Sequence, residues 1–279
     1  MPSPIDQGVV LITGASSGIG RALAGEVAAR ARALVLVARR KDRLEALRAE
    51  LVARHPALRV LVFGCDVIDR GQTDAMLAAV EAEVGGVDVL VNNAGSGDLG
   101  AFDLADWGRI DRMIALNVTS LVYLTHRLAG PMVARGHGGV LQVSSGFGLT
   151  FGPGMAAYVG TKHFVTAFTE GLRLDLLGTG VRVTQICPGP VATEFGENVG
   201  NFTGMDPPGF MTISAEWCAR AAVRALDPGR ALVVPGLLMK LVIGLGVWTP
   251  RWLLRALYAP AARSLRRKLL SSGAPRTLG

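Results

Sequence analysis

A tyrosine and a lysine stand four residues apart in AAYVGTKHF, residues 156–164, within a chain that has three tyrosines and four lysines. Positions i and i+4 of a helix share a face, with Cβ atoms about 5–6 Å apart, so the Tyr158 phenol and the Lys162 ammonium would be neighbours. An ammonium beside a phenol favours the phenolate and makes a tyrosine usable as an acid or base. A free phenol titrates near 10, so bringing it to about 7 takes roughly 4 kcal/mol of differential stabilisation. His163 adjoins the pair, but consecutive helix residues point about 100° apart, so it is expected to leave that face.

TGASSGIG, residues 13–20, offers a second chemistry. Gly14, Gly18 and Gly20 permit a tight turn and close backbone approach, which suits a pyrophosphate resting on a helix N-terminus. The spacing is not G-x-G-x-x-G and lacks the lysine of a P-loop, so a purely structural strand-to-helix turn is the alternative. A third signal lies in LVARRKDR, residues 36–43, where Ala38 occupies the position at which NAD-preferring folds place an acid on the ribose 2′-hydroxyl. Arg39, Arg40 and Lys41 follow it, and a cationic fork there suits a 2′-phosphate, so NADP(H) is expected over NAD. Taken singly, Arg40 and Lys41 read as surface residues of a helix start.

These groups need elements to hold them. Seven short apolar runs alternate with segments of helical length: GVVLITG (8–14), ALVLVA (33–38), RVLVFG (59–64), VDVLVNNAG (87–95), GVLQVSS (139–145), VRVTQIC (181–187) and ALVVP (231–235). Such runs are what parallel strands buried on both faces look like. Between them, DRLEALRAELVAR (42–54) begins with Asp42 and carries Glu45 three residues on, a helix-start pattern. The alternation predicts an α/β fold, a doubly wound and mostly parallel seven-stranded sheet, with ligands beyond the carboxyl ends of its strands. The motifs above fall just there.

The chain has 279 residues, long for one domain but ordinary for a single α/β unit with an appendage. Cys65, Cys187 and Cys218 are odd in number and show no ligand-like spacing, so a reduced protein without a metal site is expected. The start, MPSPIDQGVVLITG, has neither a basic region nor an apolar segment of the secretory kind, and a cytoplasmic location is the expectation. The formal charge of +7 is unevenly spread: all 22 acidic residues lie at or before Asp227, while nine Lys or Arg and no acid follow it. The basicity belongs to the tail, which argues against a nucleic-acid-binding reading based on overall charge.

With TGASSGIG, NNAG at 92–95, YVGTK at 158–162 and PGPVAT at 188–193 in this order, the chain resembles the short-chain dehydrogenase/reductase family in its single-domain form. The resemblance covers roughly residues 7 to 235. It implies a Rossmann-fold catalytic domain over 1–235, followed by a hydrophobic, basic extension over 236–279. It further implies that Tyr158 is the catalytic acid/base and that Lys162 holds the nicotinamide ribose and lowers the Tyr158 pKa, a positively charged nicotinamide adding to the effect. A serine thirteen residues before the tyrosine orients the carbonyl, which is Ser145. Its neighbour Ser144 is the rival, and on a strand end only one of the two can face the cleft. Asn117, in IALNVTS, matches the asparagine that supports a proton relay to the lysine. For the cofactor the resemblance implies Gly14, Ser16, Ser17, Gly18, Ile19 and Gly20 in the first turn, with Arg39 and Arg40 after the second strand. It adds Asp66 and Val67 near the adenine, Asn93, Ala94 and Gly95 beside the adenosine, and Pro188, Gly189, Val191 and Thr193 around the nicotinamide. Asn92 is matched to the same adenosine border. Homo-oligomers through the helices around Asn117 and Tyr158 are a further implication.

Two stretches leave alternatives open. EFGENVGNFTGMDPPGFMTISAEWC (194–218) suits a flap, in which Phe195, Phe202, Met205 and Phe210 either line an apolar substrate site or anchor the loop. Residues 251–270 mix Trp252, Leu253, Leu257, Tyr258 and Leu265 with six Lys or Arg, which fits a segment lying in an anionic membrane interface. A subunit contact or a lid over the cleft is the alternative, while the preceding run of 231–247 falls short of the roughly 20 residues a spanning helix needs. The function expected is hydride transfer between NADP(H) and a carbonyl or alcohol of a small lipophilic substrate. A nucleotide-binding sensor that keeps the fold without turnover is the other class.

Overall fold

The computed structural model describes residues 2–198 and 209–271. The seven apolar runs become the strands of one parallel sheet, with the order β3-β2-β1-β4-β5-β6-β9. These are β1 (Val9–Thr13), β2 (Ala33–Ala38), β3 (Arg59–Gly64), β4 (Val89–Asn92), β5 (Gly138–Val143), β6 (Val181–Ile186) and β9 (Leu232–Val233). Two-residue strands β7 (Val191–Ala192) and β8 (Ile213–Ser214) pair separately beyond the end of β6. The strand order reverses at β1, which pairs with β2 on one side and β4 on the other. Ligand crevices of open α/β sheets form at such a reversal.

The period-two alternation of side chains sorts the strands onto two cores. Val10 and Ile12 face a layer made with Leu23 and Val27 of α1 (Gly18–Val27), Leu44 and Leu51 of α2 (Lys41–Arg54), and Ala219 and Val223 of α8 (Ala215–Leu226). Val9 and Leu11 face the opposite layer, with Met76 and Val80 of α3 (Arg70–Val84) and Leu124 and Met132 of α5 (Leu121–Arg135). α6 (Ala156–Asp175) joins that second layer. α2 starts one residue before Asp42, with Arg40 at the capping position and no side chain capping the helix. Asp42 therefore sits in the first turn, where a carboxylate still favours the helix dipole.

Between α4 (Trp107–Ile114) and α5 the helix widens into a π segment over Ala115–Ser120, which contains Asn117. Such single-turn widenings recur at functional sites. The extension forms α9 (Leu237–Trp248) and α10 (Arg251–Ser271), bent by 115° where they meet. No single helix among the described residues is long and apolar enough to cross a membrane. α9 is attached through Met239 and Ile243, which pack with Cys187 and Val234 beside the ends of β6 and β9.

Candidate active site

The Gly-rich turn is built by exclusion of side chains. A Cβ on Gly20 would lie 2.3 Å from the Gly14 carbonyl oxygen and 2.5 Å from Asn93 Nδ2, so α1 can approach β1 and β4 only with glycine there. Gly18 has φ +52°, in the left-handed region that favours glycine. Asn93 fastens the turn by donating from Nδ2 to the Thr13 carbonyl at 2.8 Å and the Gly14 carbonyl at 3.3 Å. The backbone N–H groups of Asn93 and Ala94 both donate to Thr13 Oγ1 at 3.0 Å. Ser17 occupies the capping position of α1 without using its side chain as a cap. The helix keeps its N-terminal N–H groups uncapped by Ser17, as an anion-binding end requires. Ile19 packs into the first core behind this turn.

The cationic fork is resolved in favour of a residue read as surface. Arg40 donates from Nη2 to Ser17 Oγ at 3.0 Å and to Ser16 Oγ at 3.3 Å, so its guanidinium lies across the Gly-rich turn. Arg39 is exposed, and Lys41 stands against Gly64. Arg40 stands at the N-cap of α2, past the last residue of β2, and consecutive side chains there point apart, so only one of the two lies over the turn. Arg40 and Arg43 both hold the Glu194 carboxylate, at 3.1 Å from Arg40 Nη1 and 2.7 Å from Arg43 Nη1. Arg43, then Arg40, keep that carboxyl below the usual carboxylate range. A gathered anion between two guanidiniums beside Ser16 and Ser17 is what a phosphate would also find. Arg43 was legible in principle, being three residues after Arg40 on one helix face. Glu194 carried no sequence signal, since about 150 residues separate it from its partners.

Asp66 accepts from the Ile68 N–H at 3.2 Å and pairs with Arg112 at 3.1 Å, at the end of β3, with Val67 buried behind it. Asn92 differs from expectation. Its Nδ2 donates to Thr125 Oγ1 at 2.9 Å, so the side chain pins β4 to α5 and does not border the cleft. As the last residue of β4 it points opposite to Asn93, which takes the cleft side.

At the ends of β4 and β5, Asn117, Ser145, Tyr158 and Lys162 converge and are all buried. Ser144 and Ser145 separate as strand geometry demands. Ser144 Oγ bonds the Lys162 carbonyl at 3.2 Å and Thr166 Oγ1 at 2.9 Å, inside α6. Ser145 instead accepts from the Phe147 N–H at 3.2 Å, and its hydroxyl acts on the Tyr158 phenol. Lys162 donates from Nζ to the Val143 carbonyl at 3.0 Å, and its Nζ lies 5.9 Å from the Tyr158 ring centroid. Gly95 flanks both that amine and Asn117. Asn117 is fully committed: Oδ1 accepts from the Ser96 N–H at 3.0 Å, and Nδ2 donates to the Ser96 carbonyl at 2.8 Å and to Thr161 Oγ1 at 3.0 Å. The widened helix is thereby tied to both the NNAG turn and α6.

Burial dominates the titration of this cluster. It pushes the Tyr158 phenol up to about 12, against which the Ser145 hydroxyl works, and pulls the Lys162 ammonium down to about 8. The expectation that Lys162 lowers the phenol is corrected accordingly. The Ser145 hydroxyl is the chain's group that holds it down, because the amine is itself desolvated and bonded to a carbonyl.

The far wall is apolar. Phe147 lies edge-on to Tyr158 at 6.5 Å and Phe195 tilts over it at 5.9 Å. Met239 of α9 stands over Gly189 and Ile243 over Gly146, whose N–H donates to the Pro188 carbonyl at 2.7 Å. Val191 lies in β7, and Thr193 touches Gly18. Phe210 is exposed, while Phe202 and Met205 lie outside the described residues. His163 bonds the Val159 carbonyl at 3.0 Å and faces a separate surface depression of about 330 Å³ shared with Phe151, Arg251 and Arg255. It has left the Tyr158/Lys162 face, as helix geometry requires.

Comparison with known proteins agrees with this geometry. The short chain dehydrogenase family model matches residues 8–203. A sulfoacetaldehyde reductase of Chromohalobacter salexigens is 44% identical over 191 residues, 67% of this chain and 73% of that protein. An NADP-dependent 3-hydroxy acid dehydrogenase of Escherichia coli is 37% identical over 193 residues, 67% of this chain and 74% of that protein. A short-chain dehydrogenase from Sphingobium yanoikuyae, solved in complex with NADPH, superposes with a TM-score of 0.75 at 30% identity, covering 98% of each chain. The chain belongs to the short-chain dehydrogenase/reductase family and is an oxidoreductase of the NADP type: its glycine turn, uncapped α1 and Arg40 fit that dinucleotide. The family match ends at residue 203, so α9 and α10 lie beyond it.

Proposed function

We propose that the protein interconverts a carbonyl and an alcohol on a small lipophilic substrate, with NADP(H) as redox partner and Tyr158 as the acid/base. The observation that carries this reading is the burial of Tyr158 beside Ser145 and Lys162, with Gly95 of the NNAG turn against the Lys162 amine. The bound dinucleotide supplies or accepts the hydride. Gly14, Ser16, Ser17, Gly18, Ile19 and Gly20 would hold its pyrophosphate, and Arg40 its 2′-phosphate, with Arg43 replacing Arg39 as the second cation. Asp66, Val67, Asn93, Ala94 and Gly95 would flank the adenosine, and Pro188, Gly189, Val191 and Thr193 the nicotinamide.

On the protein side, Tyr158 donates a proton to the substrate oxygen as negative charge develops there, and Ser145 donates a hydrogen bond to the same oxygen. A phenol pushed up to about 12 is fully protonated at neutral pH and so is poised as the donor for reduction. Lys162 is a positioning residue for the ribose, and Asn117 holds the widened helix against the NNAG turn. The apolar residues Phe147, Phe195, Met239 and Ile243 support a lipophilic substrate, and they exclude water from the developing charge. A homo-oligomer is part of the reading, supported by the half-exposed Phe164 stacked on Phe168 along α6. Catalysis is assigned to 1–235 and a separate role to 236–279.

The test is NADPH oxidation with a panel of lipophilic ketones and aldehydes, beside Tyr158→Phe. Loss of turnover by about 10²–10⁴-fold in the variant, with NADPH affinity kept, is expected. Equal turnover by both proteins would refute the role of Tyr158.

A further inference from the structure

α9 has two apolar faces, and only one is covered. At 100° per residue, Met239 and Ile243 share the side packed on the sheet end, while Leu237, Leu241, Leu245 and Trp248 line the opposite side. Those four are 75%, 58%, 69% and 88% exposed. A contiguous apolar stripe of that kind on a helix otherwise seated in the protein marks a surface made for a partner. Beyond the 115° bend, α10 opens with a further exposed indole, Trp252, at 68% exposure.

The charge on this surface says which partner. From Leu237 to Ser271 there are seven Lys or Arg and no Asp or Glu. Of those on α10, Arg266 is neutralised by Asp103, whereas Arg263, Arg267 and Lys268 are exposed and make no ion pair with a described residue. Arg263 and Arg267 are four apart and lie on the same outward side of α10 as Trp252 and Leu270. Apolar and indole side chains ringed by unpaired cations match a bilayer surface with anionic head groups. They match a second copy of this chain poorly, because an isologous contact would bring two acid-free cationic surfaces together. Neither helix satisfies the length and apolarity of a span, so the pair would lie in the interface.

The geometry points to α9 and α10 as a docking surface for an anionic membrane, with the outer side of α9 against the lipid and its inner side forming the wall over Gly189 and Gly146. One helix then separates the bilayer from the catalytic cluster by its own diameter, about 10 Å. The docking stands on the tail alone; delivery of a lipophilic substrate from the bilayer rests on the proposed activity.

The experiment is co-sedimentation of the full-length protein with vesicles of equimolar phosphatidylglycerol and phosphatidylcholine, compared with phosphatidylcholine alone, at low and high salt. Binding to the anionic vesicles that falls at least tenfold on neutral ones, or in high salt, is expected. Arg263→Gln with Arg267→Gln should weaken it by about thirtyfold, and Leu241→Ser or Trp248→Ser by about tenfold each. NADPH binding by every variant, unchanged, reports that the fold is intact and is independent of whether any substrate turns over. Absence of co-sedimentation, equal binding to both vesicle types, or binding that ignores Leu241→Ser and Trp248→Ser would overturn the proposal. So would a dimer in light scattering that Leu241→Ser abolishes while vesicles capture nothing, since that outcome gives the face to a second copy.

Discussion

Lys162 is held at a cost to the fold, and replacing it by methionine should expose that cost. Burial lowers the ammonium from its ordinary 10.5 to about 8. At about 1.4 kcal/mol for each tenfold change in proton affinity, the charged form is penalised by roughly 3 kcal/mol in the folded protein. A folded-state pKa below the unfolded one means that the penalty is complete below pH 8. It is relieved as pH rises from about 8 toward 10.5, where the unfolded chain still binds the proton that the folded one has released. Methionine fills a similar volume without charge but loses the bond to the Val143 carbonyl, which returns about 2 kcal/mol. The net expectation for Lys162→Met near neutrality is a gain of about 1 kcal/mol, or some 2–4 °C in melting temperature. Measured by urea and thermal unfolding without added nucleotide, the wild-type protein should gain about 3 kcal/mol on the variant as pH rises and so overtake it by about 2 kcal/mol near pH 10.5. Turnover in the variant should fall by at least a hundredfold. A stability difference that stays flat from neutral pH to about pH 10 would refute the reasoning.

Other outcomes follow from the same contacts. Arg40→Gln should weaken NADPH about 10- to 100-fold while leaving NADH unchanged, read by fluorescence titration of both. Glu194→Gln removes the carboxylate that occupies Arg40 and Arg43, so NADPH affinity should rise and NADH affinity should not. Ser145→Ala should lower kcat by about 10²–10³-fold, whereas Ser144→Ala, whose hydroxyl is spent inside α6, should keep most of it.

Nearly all of the sheet was legible because its strands are buried on both faces and therefore read as uninterrupted apolar runs. Their ends were less so: VDVLVNNAG promised nine residues and β4 has four, since Asn93 turns away to fasten the Gly-rich loop. The cluster of Ser145, Tyr158, Lys162 and Asn117 was legible through spacing on α6 and through family motifs. What sequence could not supply was orientation. Arg40 rather than Arg39, and Asn93 rather than Asn92, are choices between neighbours that only the backbone at the ends of β2 and β4 decides. The contribution of Met239 and Ile243 was hidden for another reason: α9 is apolar on both sides, so periodicity gave no inner face to choose.

Three consecutive residues close over three parts of one groove: Thr193 on Gly18, Glu194 on Arg40 and Arg43, and Phe195 on the Tyr158 ring. Because they are covalently successive, a backbone shift at one is passed to its neighbours. On the proposed reading, a dinucleotide phosphate that takes Arg40 and Arg43 from Glu194 shifts the backbone that carries Phe195 over the phenol, and so opens the way for the carbonyl substrate. Steady-state kinetics should therefore be compulsory-order, the dinucleotide entering first and leaving last. Oxidised dinucleotide would then compete with the reduced form, and the alcohol product would not compete with the carbonyl.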